Sequence, residues 1–422
     1  MTHLARTSPL PTGTDVVLAA QTLGATVHHT PLDACDRWSE KLSRQVYLKR
    51  EDIQIARSYK VRGAYNFISS LSRQEADMGV VCASAGNHAQ GVAFACNSLQ
   101  IHGTIFIPST TPRQKRSRIR DIGGAWVHII ETGTTFDECA AAARSYAEDS
   151  ESIYVPPFDD LRTIAGQGTV VKEVFEQAPI QPSVVLVPVG GGGLLAGTLA
   201  WVKQFHPNVK VIGVEPEGAA SLRAALDAGQ PVTLDHIDTF ADGTAVARVG
   251  DITFATAQAM VDDVITVPEG AISAEMLELY QVEGIITEPS GALAVAALRF
   301  LPDDLPDGPI AAVISGGNND VSRYDDIVER AMIYEGLRHY FLVTFAQKPG
   351  ALRAFVNEVL GEGDDIVVFE YIKKNNRETG PALVGIDIES PRRLEGLLAR
   401  MDASGLQIER VEPNSQVFGF IL

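Results

Sequence analysis

Basic charge is scarce in this chain: 35 lysines and arginines face 53 aspartates and glutamates, a formal net charge of −18 over 422 residues. No basic block offsets that sign, so nucleic acid and anionic membrane surfaces are disfavoured as partners. Cysteine is sparse too. Cys35, Cys82, Cys96 and Cys139 form no C-x-x-C pair and no metal-ligating spacing with histidine. Cys82 lies inside Val80-Val81-Cys82-Ala83 and reads as a buried free thiol; no metal site is expected. No stretch approaches the ~20 apolar residues that a membrane-spanning helix needs. Met1-Thr2-His3-Leu4-Ala5-Arg6 has no apolar core followed by a cleavage site. The expectation is a cytoplasmic globular protein, long enough for two or three domains and a large core.

What is present is alternation. Between about Leu32 and Asp325, short apolar runs predict strands over 45–48, 80–83, 103–107, 126–130, 183–189, 210–214 and 310–314. Alanine-rich segments between them predict helices, among them 88–99, 134–148 and 193–205. Strands without polar alternation, separated by amphipathic helices, indicate parallel sheets covered on both faces, an open α/β class.

A different order begins near His339. It reads strand (340–345), turn (Lys348-Pro349-Gly350), helix (351–360), two strands (365–373 and 382–389), helix (392–404) and strand (407–411). That βαββαβ order is the ferredoxin-like α+β plan. A helix over 328–337 is the expected connector, which gives domains of 1–337 and 338–422.

Four motifs carry the chemistry. Lys60 sits in Arg57-Ser58-Tyr59-Lys60-Val61-Arg62-Gly63-Ala64, and a lysine amine condenses with aldehydes. Alone, such a lysine is most often structurally innocent. Gly190-Gly191-Gly192-Gly193-Leu194 lies at a strand-to-helix corner, where backbone amides and the helix dipole favour an anion. Its rival reading is a dinucleotide fingerprint, Gly191-x-Gly193-x-x-Ala196, with Glu215 ending the next strand. Ser84-Ala85-Gly86-Asn87-His88 offers several N–H groups suited to a carboxylate, though Ser or Asn there also serves as a helix cap. Ser315, opening Ser315-Gly316-Gly317-Asn318, places a hydroxyl where it can meet an unprotonated ring nitrogen. Glu288 in Glu288-Pro289-Ser290-Gly291-Ala292 faces either a cofactor or its own helix start. Asp159-Asp160 and Asp325-Asp326 read as solvated loop charges.

Taken in this order, the motifs resemble those of fold-type II pyridoxal-phosphate enzymes, and specifically the biosynthetic threonine dehydratases. Glu51-Asp52, Asp242-Gly243-Thr244-Ala245-Val246 and Glu288 to Ala292 also fit that pattern. The resemblance implies two open parallel α/β subdomains, the smaller at roughly 62–160, with pyridoxal 5′-phosphate as cofactor. Lys60 is then the catalytic, cofactor-bearing lysine and Tyr59 a ring beside the cofactor. Asn87 contacts the cofactor's ring oxygen, Gly190, Gly191, Gly192, Gly193 and Leu194 its phosphate, and Ser315 its ring nitrogen. Ser84, Ala85, Gly86, Asn87 and His88 form the substrate-carboxylate loop. L-threonine and L-serine are the implied substrates.

One departure and one contrast with a related branch matter. Tyr59 stands where the family commonly has phenylalanine, a ring that still packs. Ala85 stands where the related serine racemases have a second serine, which speaks against racemisation. Residues 340–345, Lys348 to Leu352 and Val384-Gly385-Ile386 resemble a single ACT-like regulatory module. It implies isoleucine as effector, with valine as a second candidate, and a homo-oligomer, tetramer or dimer. A dinucleotide oxidoreductase, another pyridoxal-phosphate ammonia-lyase and a non-catalytic amino-acid sensor remain open as alternatives.

Overall fold

Runs of β-branched residues with no polar alternation form strands buried along their whole length, as in Val80–Ala83, Val184–Pro188 and Ile310–Ile314. In this computed structural model, which describes residues 10–371 and 378–412, such strands build two parallel sheets. In chain order the strands are β1 (Leu32–Ala34), β2 (Val46–Arg50), β3 (Val80–Ala83), β4 (Gly103–Ile107), β5 (Val127–Glu131), β6 (Ile153–Tyr154), β7 (Val184–Pro188), β8 (Lys210–Pro216), β9 (Asp263–Val267) and β10 (Ile310–Ile314). The larger sheet runs β1-β2-β10-β7-β8-β9, parallel except for β1, which pairs antiparallel at one edge. The smaller runs β5-β4-β3-β6, all parallel.

Helices cover both sheets. Leu161–Gln177 and Gly193–Phe205 cross closely because both carry glycine at the contact: a β-carbon on Gly197 would lie 2.4 Å from the Ile164 carbonyl oxygen. The core of the large sheet gathers Val185, Val187, Leu195, Leu199 and Val211, all at most 1% exposed. Each such side chain contributes about 1.5–3 kcal/mol by leaving water.

Strand order sets where a ligand can sit. In the large sheet the chain moves from β7 outward to β8 and β9, then returns to place β10 on the other side of β7. In the small sheet it moves from β3 to β4 and β5, then returns with β6 on the other side of β3. Crevices of open α/β sheets lie at the carboxyl ends of strands where the order reverses. The glycine run follows β7, Ser315 follows β10, and Ser84 follows β3. Three of the four sequence motifs therefore stand at switch points, and the fourth, Lys60, follows β2 beside β10.

The chain resolves into two compact units, one built from residues up to Glu269 with Leu279–Asn319, the other from Gly270–Glu278 and the residues from Asp320 on. The second unit contains β11 (Arg338–Ala346), β12 (Asp365–Tyr371), β13 (Thr379–Asp387) and β14 (Gln407–Val411), ordered β12-β13-β11-β14 and wholly antiparallel. Helices Ala351–Glu358 and Leu394–Ala403 supply the two crossovers of the ferredoxin-like plan. Alternation along β11 turns Phe341, Val343 and Phe345 into one core with Phe355, Val384 and Leu397.

The expected strands at 80–83, 103–107, 310–314 and 407–411 coincide with β3, β4, β10 and β14. β1, β6 and β9 were not anticipated, since two- or three-residue strands and the half-exposed β9 give little periodic signal. The helix expected over 328–337 is Tyr324–Tyr334 and lies within the second unit; Gly336, in a left-handed conformation (φ 68°), marks its end. Residues 372–373 of the expected strand 365–373 lie outside the described residues, as does the Met1 to Arg6 segment.

Candidate functional site

Lys60 opens the helix Lys60–Ser69, and the residues just before it are laced to the loop after β10. Tyr59 N–H donates to the Ser315 carbonyl (3.2 Å), Gly317 N–H donates to the Arg57 carbonyl (2.9 Å), and Ser58 forms an antiparallel bridge with Gly316. Two motifs more than 250 residues apart thus share a short two-stranded patch. Lys60 Nζ donates to the Pro157 carbonyl at 3.1 Å and stands 5.4 Å from the centre of the Tyr59 ring. Burial pushes its ammonium down to about 8, against the pull of Glu288. A lysine so placed gives up its proton more readily than a solvated one and is the more easily made nucleophilic. Burial, with Glu288 adding, pushes the Tyr59 phenol up, so it stays neutral.

Asn87 begins the helix Asn87–Leu99. Its Nδ2 donates to Glu288 Oε1 at 2.6 Å, and its Oδ1 accepts from Asn318 Nδ2 at 2.6 Å. Glu288 stands at the cap position of Pro289–Ala296, yet its side chain makes no cap hydrogen bond. Of its two readings, helix capping gives way to the crevice. Burial, with Asp242 adding, pushes the Glu288 carboxyl up to about 7, while Asn87 opposes.

The substrate loop is partly open. Ser84 Oγ accepts from Gly86 N–H (3.2 Å), and a β-carbon on Gly86 would meet nothing within 4 Å. Neither Gly86 nor any side chain caps the helix behind it. Its first N–H groups are therefore left for a ligand. Ala85 presents only a methyl. His88 turns inward: Nε2 donates to the Val155 carbonyl (2.9 Å), and the buried Nδ1 has no partner. Burial, with Lys60 adding, pushes this imidazole down to about 3, so it is neutral.

The glycine run shows why side chains are missing there. Gly192 is left-handed (φ 91°), and the helix Gly193–Phe205 has no side-chain cap. β-carbons on Gly190 and Gly191 would sit 2.9 Å from Thr244 and 2.2 Å from the Phe158 ring. The result is a bare row of amides at a helix N-terminus, a ready anion cradle. Phe158 follows Pro157, so one short segment touches both Lys60 and the glycine run. Asp159 was read as a solvated charge and is not one: its carboxylate accepts from the N–H groups of Asp251, Ile252 and Thr253 (2.9, 2.9 and 3.2 Å). Asp160 caps the helix Leu161–Gln177. Nothing local in the sequence announces that the helix Asp251–Met260 begins beside residue 159.

Ser315 Oγ donates to the Ser290 carbonyl at 3.0 Å, and Ser290 Oγ lies 3.1 Å from Thr244 Oγ1. Lys115 on the small sheet's helix Arg113–Gly123 pairs with Asp242 at 2.9 Å, across the mouth of the crevice. Neither pair was anticipated; both join residues distant in the chain. Glu215, the acid that a dinucleotide reading needs, spends its oxygens on Leu222 and Arg223 N–H (2.7 and 2.8 Å), capping the next helix. The chemistry collected is a nucleophilic lysine, an anion cradle, a second row of free amides and a hydroxyl at a strand end. That donor set fits an aromatic aldehyde with a phosphate arm.

The comparisons with known proteins agree with it. Residues 24–316 match the family model for pyridoxal-phosphate dependent enzymes, and residues 329–421 the C-terminal regulatory domain of threonine dehydratase. The biosynthetic L-threonine dehydratase of Mycobacterium tuberculosis is 53% identical over 412 residues, 97% of this chain and 96% of that protein. That of Bacillus subtilis is 46% identical over 407 residues, 96% of each. The processed form of threonine deaminase isoform 2 from Solanum lycopersicum superposes with TM-score 0.71 at 41% identity, over 75% of this chain and 92% of that one. The chain belongs to the biosynthetic threonine dehydratase family of pyridoxal-phosphate dependent enzymes.

Proposed function

We propose that the protein deaminates L-threonine to 2-oxobutanoate and ammonia, and L-serine to pyruvate and ammonia, in the cytoplasm as the entry to isoleucine synthesis. The observation that carries the reading is Lys60 Nζ, partly desolvated and linked through Pro157-Phe158 to the bare amides of Gly190 to Leu194. When bound, pyridoxal 5′-phosphate joins the substrate amine through its aldehyde and draws electrons from Cα. Lys60 would hold that aldehyde carbon between turnovers, Gly190, Gly191, Gly192, Gly193 and Leu194 the phosphate, Asn87 the ring oxygen and Tyr59 a flank of the ring. The amides of Ser84 to Asn87 hold the substrate carboxylate, fixing which Cα bond faces Lys60. Lys60 Nζ then takes the Cα proton.

Ser315 meets the ring nitrogen with a hydroxyl rather than a carboxylate. Its proton now points to the Ser290 carbonyl, so the rotor must turn to donate. Ser315→Asp is expected to slow ammonia release and raise side products such as transamination, because a carboxylate keeps the nitrogen protonated and deepens the electron sink. Unchanged product partitioning in that variant removes Ser315 from this role.

Residues 1–337, with a small subdomain at roughly 62–160, are taken as the catalytic domain and 338–422 as the regulatory one. The regulatory unit contributes none of the four motifs, and its Lys348-Pro349-Gly350 turn is exposed, with open space at Gly350. Isoleucine, with valine as second candidate, is the proposed effector, acting in a tetramer or dimer. Four free, buried cysteines accord with a reducing compartment.

The test is turnover of L-threonine and L-serine, each with and without isoleucine and valine. Ammonia from both substrates and an isoleucine-dependent loss of affinity of about 5–150-fold are expected, the range of a 1–3 kcal/mol coupling. L-Threonine must weaken isoleucine binding by the same factor. No ammonia from either substrate sinks the lyase reading; indifference to both amino acids sinks the regulatory one.

A further inference from the structure

Asn318 Nδ2 donates to the Ala56 carbonyl oxygen at 2.8 Å, and a carbonyl only accepts. That contact fixes which end of the Asn318 carboxamide is nitrogen. The same nitrogen lies 2.6 Å from Asn87, so Asn87 must present its oxygen there and its nitrogen to Glu288. A flipped Asn87 would set oxygen against carboxylate and nitrogen against nitrogen. The relay Ala56–Asn318–Asn87–Glu288 therefore has one direction, and Glu288 is the acceptor that ends it. The backbone makes room for that carboxylate: a β-carbon on Gly316 would lie 2.3 Å from Glu288 Oε1, and Glu288 N–H is anchored to the Gly316 carbonyl (3.2 Å).

We propose that Glu288 is a positioning residue that orients the Asn87 carboxamide, leaving one Asn87 N–H aimed at the cofactor's ring oxygen. The inference rests on the reading that Asn87 makes that contact. One Nδ2 hydrogen goes to Glu288 and only the other remains, so its direction follows from where the carboxylate stands. Losing the acceptor leaves the amide held at its oxygen alone, by Asn318, so its N–H end can swing and the ring loses its fixed tilt over the site where Lys60 must reach Cα. Misplacement by about 1 Å at such a centre costs up to about 10²-fold in rate.

The test uses the holoenzyme. Glu288→Ala, Glu288→Gln, Asn87→Ala and the double variant are compared by visible circular dichroism of the bound cofactor, by kcat and KM, and by thermal unfolding. Glu288→Ala is expected to lose most of the dichroic band and up to about 10²-fold in kcat, with a much smaller change in KM. Glu288→Gln, which keeps an acceptor oxygen, restores the band. The double variant should be no worse than Asn87→Ala, as expected of residues acting through one contact. A native band in Glu288→Ala, or additive losses in the double variant, overturns the inference while the Asn87 reading stands. A native band in Asn87→Ala overturns both. Should Glu288→Ala not fold, Glu288→Leu, closer in bulk, is judged by the same outcomes.

Discussion

Lys60→Ala is expected to yield a folded protein that binds no covalently held cofactor and releases no ammonia from L-threonine. The residue has two tasks in one atom. In the proposed reaction Nζ is the attachment point for the aldehyde and afterwards the acceptor for the Cα proton. Removing a general base alone typically costs about 10²–10⁴-fold; removing the attachment point as well should exceed that. Folding should be spared. Lys60 has one hydrogen bond from its side chain, to the Pro157 carbonyl, and no ion pair among the described residues. Its helix is held by other groups, with Val61, Ala64, Phe67 and Ile68 at most 1% exposed. The measurements are ammonia release, visible absorbance after dialysis against the cofactor, and far-ultraviolet circular dichroism. Near-normal ammonia release would remove Lys60 from the mechanism, and with it the reading of the crevice.

Much of this crevice could be read before any coordinates, because its parts are local. Gly190 to Leu194 announce themselves as consecutive glycines between an apolar run and a helix, and the structure puts Gly192 in the one backbone region that asks for glycine. Lys60 and Ser315 each end or follow an apolar strand. What escaped was whatever depends on two distant segments meeting. Glu288 could be placed at a helix start from sequence, but whether its carboxylate turned back to the helix or out to Asn87 depends on a residue 201 positions away. Asp159 failed for the same reason: its partners are 92 to 94 residues downstream. β6 is two residues long and carries no period, yet it delivers Val155 to His88 and Pro157 to Lys60. In the C-terminal unit the opposite holds. Its strand and helix order follows from alternation and a proline-glycine turn, both local signals.

The second large effect is on stability and lies two residues beyond Lys60. Arg62 is fully buried, and every N–H of its guanidinium has an acceptor. Nε and Nη2 grip Glu51 (2.9 and 2.7 Å), Nη1 and Nη2 grip Glu173 (2.5 and 2.9 Å), and Thr169 takes the second N–H of Nη1 at 3.2 Å, while the His28 carbonyl, also at 3.2 Å, shares the two N–H groups of Nη2 with the carboxylates. Lys49, also buried, shares Glu173 at 2.6 Å. Burial opposes the charge on Arg62, yet Glu51 and Glu173 outweigh it and hold the guanidinium above its usual range. Two cations and two carboxylates thus balance among side chains that are at most 10% exposed. Arg62→Met removes one cation and leaves a carboxylate uncompensated, a loss of about 3–5 kcal/mol. The exposed Lys172–Glu176 pair on the neighbouring helix, by contrast, contributes about 0.3–0.5 kcal/mol. Thermal unfolding of Arg62→Met, Lys172→Met and the double change Arg62→Met, Glu51→Gln separates the cases. The first should fall far more than the second. The double variant should recover part of the loss, since it removes the stranded carboxylate and leaves Lys49 paired with Glu173. The same experiment reports on catalysis. Arg62 ties the first turn of the Lys60 helix to β2's exit through Glu51 and to Leu161–Gln177 through Glu173, so a slackened network should lower kcat even where the variant still folds. An Arg62→Met protein as stable as Lys172→Met would mean that the buried charges are hydrated or rearranged, and the network would then hold nothing in place.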